Sequence, residues 1–135
     1  MKTVFADTNF FLSFLVRNEA VQKKKARELF EGALRGEVSL ITSSLVLFEI
    51  DWVLYSTYRA DKGKRLNKLQ EILNFPFLKL DDLQICAEAI TLARRTALEL
   101  QDCYNLAYAK IHGCEELATF DKKLLSYLKR EPLAP

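Results

Sequence analysis

The sequence predicts an α/β fold: a short, mostly parallel sheet flanked by helices on both faces. Short apolar runs at 3–6, 38–41 and 77–80, and again in "EELATF", alternate with longer amphipathic stretches. That alternation is the signature of strands joined by helical crossovers. Half of the residues are hydrophobic, and only four are Gly and three Pro, which favours a compact, helix-rich chain over disorder. At 135 residues the length suits one ordinary domain with a real core, so a single domain over 1–135 is expected.

The elements follow in order. Residues 3–6 suit a buried strand, and a helix begins near Thr8 or Asn9 and ends around Val16. Ala26, Leu29, Phe30, Ala33 and Leu34 recur at helical spacing with charges between them, so 20–35 is an amphipathic helix. Gly36 stops it. A strand at 38–41 leads into Thr42, Ser43 and Ser44 as caps. The next helix, about 44–58, is apolar on nearly every side and is expected in the middle of the domain. "ADKGK" interrupts, and Leu66, Leu69, Ile72 and Leu73 mark a helix over 64–73 that Asn74 and Pro76 end. "FLKL" reads as a strand. Asp81 or Asp82 then caps a helix whose apolar side includes Leu83, Ala87, Ile90 and Ala97. A further helix runs from about Asp102 to His112 and stops at Gly113. "EELATF" reads as the next strand, and Asp121 starts a final helix to about Leu128.

Net charge is only +2, from 20 basic and 18 acidic residues. Withdrawing several acids into one pocket would leave the remaining surface distinctly basic. Clusters such as Lys23-Lys24-Lys25-Ala26-Arg27 and Lys62-Gly63-Lys64-Arg65 could then attract phosphates. Cys86, Cys103 and Cys114 lack C-x-x-C spacing and read as reduced thiols, neither a disulfide frame nor a zinc site. Lys2 is followed by only a short apolar run before Asp7, so no secretory leader is expected. No segment approaches the ~20 apolar residues of a membrane span. A soluble, cytoplasmic protein without a membrane partner is the expectation.

Four acids stand out by position. Asp7 and Asp121 follow predicted strands immediately, and in open sheets the ligand crevice lies beyond the carboxyl ends of strands. Glu49 sits inside the most apolar helix, flanked by Phe48 and Ile50, with Arg59 the nearest cation in sequence. Asp102 begins a helix. Helix capping would account for Asp7, Asp102 and Asp121 one at a time, at about 1 kcal/mol each. Glu49 resists that reading, because a carboxylate on an apolar helix is seldom buried without a partner. A long-range salt bridge or a bound cation would supply one.

Taken together, the four suggest hard oxygen ligands, which suit Mg²⁺ or Mn²⁺ rather than zinc. His112 is the chain's one histidine; it reads as a helix-end residue favoured by the dipole, and most imidazole schemes lose their parts. Neither G-x-x-x-x-G-K nor G-x-G-x-x-G is present, so nucleotide hydrolysis of the usual kinds is unsupported. Metal-assisted phosphodiester hydrolysis fits, with Thr8, Asn9 and Thr119 orienting ligands or waters. A D-x-D phosphatase would need a second Asp where Asn9 stands.

D-T-N at 7–9, the Glu of "SSLVLFEIDWVL", the Asp of "LQDCYNLAYA" and "LATFDKKL" resemble, in order and rough spacing, the acidic motifs of the PIN-domain family. The likeness covers essentially the whole chain, whose small size is similar to the VapC toxins of toxin–antitoxin pairs. The resemblance implies a Rossmann-like three-layer sandwich and Mg²⁺- or Mn²⁺-dependent ribonuclease activity. It implies Asp7, Glu49, Asp102 and Asp121 as catalytic metal ligands, with Thr119 matching the hydroxyl of a T-x-D element. It also implies an RNA substrate, a homodimer and a small VapB-like antitoxin. Two positions depart from the pattern. Leu124 stands where many relatives place Phe, and Lys122 and Lys123 follow Asp121 where many carry a further acid, so a second ion has less to hold it. A non-catalytic RNA-binding or partner-docking module of the same fold is the alternative.

Overall fold

A computed structural model describes residues 1–134. The chain falls into two compact units, Met1–Leu83 and Gln84–Pro135.

The first unit carries the sheet. Strand β1 (Lys2–Phe5) leads to helix α1 (Thr8–Leu15) and helix α2 (Ala20–Leu34). Strand β2 (Val38–Ile41), helix α3 (Ser44–Ser56), helix α4 (Lys62–Leu73) and strand β3 (Leu78–Lys79) complete it. The strands run parallel in the order β1-β2-β3, with Lys2 opposite Val38 and Leu40 opposite Leu78. Beyond the strand ends the ladder continues. Ala6 N donates to Ile41 O at 2.9 Å, and Thr42 N to Lys79 O at 3.1 Å. The Thr42 hydroxyl, buried, donates back to Ala6 O at 2.9 Å. These bonds fix the carboxyl ends of β1 and β2 side by side, where α1 and α3 begin.

Phe11, Phe14, Phe30, Phe75 and Phe77 form one aromatic cluster joining α1, α2 and the turn before β3. Its ring centroids lie 4.9 to 6.2 Å apart, the range in which aromatic pairs gain about 0.5–1.5 kcal/mol beyond burial. Helix α2 ends in a Schellman turn: Gly36 N bonds Ala33 O and Glu37 N bonds Gly32 O. Gly36 has φ +78°, a conformation that favours glycine.

Helix α3 differs from its expected place at the centre of a domain. Val46, Leu47, Ile50 and Leu54 are buried, while Leu45, Trp52 and Tyr55 are more than half exposed. The buried set occupies one side at helical spacing, so residues 45, 49 and 52 turn away from it. The carboxylate removed from water on this helix is Asp51, not Glu49, which is exposed. Arg65 Nε donates to Asp51 Oδ1 at 3.0 Å, both side chains being about one-tenth exposed. The same guanidinium donates to Ala60 O at 2.8 Å and lies 5.3 Å from the Tyr55 ring centroid. Arg65 therefore belongs to the interior of this unit, and the Lys62–Arg65 cluster is less basic at its surface than its sequence suggests.

The second unit is helical: α5 (Leu83–Arg95), which starts at the last residue of the first unit, then α6 (Leu100–Ile111) and α7 (Lys122–Arg130). On α5 the buried face is Ile85, Cys86, Ala89, Ile90, Leu92 and Ala93; of the expected face only Ile90 is buried, and Ala97 lies past the helix. Helix α6 starts at Leu100, two residues before the expected Asp102, and ends in a second Schellman turn with Gly113 at φ +72°. The segment "EELATF" forms no strand. Two acids and a fully exposed Phe120 leave it few apolar side chains to bury, and it pairs with no strand among the described residues. None of the three cysteines forms a disulfide among the described residues; Cys86 and Cys103 are buried and Cys114 is exposed. No helix among the described residues is long and apolar enough to cross a membrane.

Candidate metal centre

Each unit contributes two of the four acids, and each pair is built by the start of a helix. In the first unit Asp7 is the N-cap of α1. Its Oδ1 accepts from Asn9 N at 3.1 Å and Phe10 N at 3.3 Å. Capping is thus real here, yet it occupies one oxygen and leaves Oδ2 without a protein donor among the described residues. Thr8, buried, donates its hydroxyl to Glu49 Oε2 at 2.5 Å. Charge-assisted bonds of this length are strong, so Glu49 is held by the residue adjacent to Asp7. A ligand-orienting role for Thr8 would work through this contact. Asn9 does otherwise: its Oδ1 accepts from Arg17 Nη1 at 3.0 Å.

In the second unit Asp121 is the N-cap of α7. Its Oδ1 accepts from Leu124 N at 3.0 Å, and its own N–H donates to the Thr119 hydroxyl at 3.0 Å. Thr119 therefore fixes the backbone of Asp121 rather than its carboxylate. Asp102 lies in the first turn of α6 and caps nothing, because Glu99 occupies the N-cap position. Its carboxyl is pushed above the ordinary aspartate range, chiefly by partial burial, then by the negative charges of Asp121 and Glu99; Lys123 opposes them. Sequence reasoning alone misses Glu99 as a member of this group, whereas Lys123 stands out there beside Asp121. A signal for Glu99 does exist, since a residue three before Asp102 lies one helical turn away.

A chain that left such a site to itself would offset the repulsion with an internal cation, as Asp51 is offset by Arg65. Around Asp102 the acids outnumber the one base. Carboxylate oxygens not used by the protein are the donor set a hard divalent cation takes. Thus the chemistry of the side chains fits Mg²⁺ or Mn²⁺. Among the described residues, no group of three or more His, Cys, Asp or Glu side chains stands close enough to hold a metal ion.

A family model described as PIN domain matches residues 4–129, spanning all four acids. No curated protein matches the chain.

Proposed function

The chain belongs to the PIN-domain family, a nuclease fold whose nucleases generally use divalent metal ions, and from that premise we propose that it is a metal-dependent endoribonuclease. In this reading residues 1–135 are one nuclease domain and the protein is the cytoplasmic toxin of a VapBC-like type II pair. Asp7, Glu49, Asp102 and Asp121 serve Mg²⁺ or Mn²⁺ jointly. The observation that carries the proposal is the PIN-domain match over residues 4–129; partial burial and the charges of Asp121 and Glu99, which raise the Asp102 carboxyl against one lysine, support it.

When bound, the metal lowers the pKa of a water and offsets charge on the leaving oxygen. The chain's own side chains do the rest. Thr8 keeps the Glu49 carboxylate in one orientation. The helix-capping bonds of Asp7 and Asp121 immobilise one oxygen of each. Thr119 steadies the turn that presents Asp121. Replacing Asp7 with Asn keeps a capping residue and removes a charge, so Mn²⁺-dependent cleavage of a labelled RNA should vanish while the circular dichroism spectrum stays the same. Undiminished, metal-independent cleavage by Asp7→Asn would overturn the proposal.

The exposed Leu45, Trp52 and Tyr55 on α3 support a homodimer, for which light scattering is the check. A VapB-like antitoxin is the partner this reading implies, and co-purification with the product of an adjacent short gene tests it. A second reading, an RNA-binding or partner-docking module without turnover, is favoured by one observation: Asp7 and Asp121 do cap helices. It requires that Mn²⁺ leave the melting temperature unchanged, since a ligand held by the folded state must stabilise it. A D-x-D phosphatase gains nothing here, because Asn9 engages Arg17.

A further inference from the structure

One groove of the second unit, about 980 Å³, shares Lys122 and Lys123 with "LATFDKKL" and is otherwise lined by residues outside the acidic motifs. The last turn of α5 lines it with Arg94 and Arg95, and α7 lines it with Lys122, Lys123, Tyr127 and Arg130. Glu131 is the one acid in its wall. All five basic residues are exposed, and none is ion-paired with a carboxylate among the described residues. Helix ends are seldom given five like charges around one hollow without a use for them, because each repels the next. The groove is therefore built for an anion.

Its shape says which kind. Lys122, Ser126 and Arg130 recur every four residues along one side of α7, and at 1.5 Å per residue the outer two are about 12 Å apart. That length spans several phosphates of one strand at ~3.4 Å or more each, too long for a single small anion. Tyr127, half-buried, lines the same groove. A basic groove with an aromatic side chain is the pattern that holds single-stranded nucleic acid, phosphates on the cations and a base on the ring. A duplex keeps its bases stacked and would leave the ring unused. One end of the groove adjoins the acid pair, since Lys122 follows Asp121 and Lys123 acts on Asp102.

We propose that this groove is a track for single-stranded RNA, gripping several nucleotides on one side of the bond to be cut. The identity of the polymer as RNA rests on the nuclease reading above; the groove's preference for an unpaired polyanion does not.

The test is fluorescence anisotropy with a labelled 12-nucleotide single-stranded RNA and the intact chain, in EDTA so that no turnover occurs. The variant Arg94→Gln/Arg95→Gln/Arg130→Gln should bind at least tenfold more weakly. Its dependence of log K on log salt should be shallower by about 2, at ~0.7 per lost phosphate contact. Tyr127→Ala should weaken binding between about fivefold and a hundredfold. A control of equal charge outside the groove and outside both basic clusters, Lys2→Gln/Arg35→Gln/Lys68→Gln, should bind as the parent does. Wild-type affinity and slope in the groove variant, or an equal loss in the control, would overturn the proposal. Photo-crosslinking of 4-thiouridine RNA to the unmodified chain probes the same groove without a variant: crosslinks in α7 support the track, and their absence there refutes it. Mn²⁺-dependent cleavage measured alongside separates the two readings. Cleavage that persists with groove-independent binding sinks the track alone, and groove-dependent binding without metal-dependent cleavage sinks the nuclease alone.

Discussion

Asp51 on α3 and Asp102 on α6 are both partly or wholly withdrawn from water, yet the chain surrounds them in opposite ways. Asp51 receives a guanidinium at 3.0 Å that also bonds a backbone carbonyl and covers a tyrosine ring. Asp102 receives two further negative charges and one lysine, and partial burial first, then those charges, raise its carboxyl above the ordinary range. A carboxylate that serves the fold is given its counter-charge by the chain. On the proposed reading, Asp102 is left short of it because it serves a ligand, and stability is sacrificed locally for function.

The largest way to break the comparison is at the paired site. Arg65→Met leaves Asp51 buried without its cation, and removing one partner of a buried pair costs about 3–5 kcal/mol. Urea denaturation should show that loss; a cost below about 1 kcal/mol would mean that Asp51 is not held as described. Next in size is the support of the ligand set. Thr8→Val removes the hydroxyl that orients Glu49, and loss of an outer partner of a metal ligand typically costs about 10–100-fold in affinity. Isothermal titration with Mn²⁺ should find that drop with the fold unchanged, and an unaltered affinity would remove Thr8 from the site.

The smallest effect sharpens the contrast through pH. Because the folded state raises the Asp102 pKa, the native chain takes up this proton before the unfolded chain does. Stability of the metal-free protein therefore falls as pH rises from the ordinary aspartate value through the raised one, and recovers as pH is lowered again. The group is largely solvated, so the effect stays below about 1 kcal/mol. Asp102→Asn should abolish this component and leave the metal-free chain slightly more stable near neutral pH. Equal pH profiles for parent and variant, by thermal melts, would contradict it.

Much of the fold is legible in the sequence because local signals agree. Amphipathic spacing places α2 within a residue of its observed ends, the apolar run Val38–Ile41 is β2, and Asp7 and Asp121 cap the helices they are expected to start. Where the reading fails, the deciding contact is distant. "EELATF" reads as a strand in sequence but pairs with no strand among the described residues, and a strand exists only through its partner. Glu49 stands out in sequence as the troubled carboxylate of α3 because composition does not say which side faces inward. Asp51, two residues on, is the buried one, and its partner Arg65 looks in sequence like part of a surface cluster. The basic groove is invisible in sequence for the same reason: Arg94 and Arg95 meet α7 only in three dimensions.

The central claim of the proposed function is that Asp7, Glu49, Asp102 and Asp121 are needed to bind a divalent ion. Mn²⁺ binding followed by electron paramagnetic resonance, for the parent and for Asp7→Asn, Glu49→Gln, Asp102→Asn and Asp121→Asn, tests it most directly. Saturable binding in the parent that each single variant loses is the expected result. Undiminished binding in either Glu49→Gln or Asp102→Asn, or none in the parent, would contradict it.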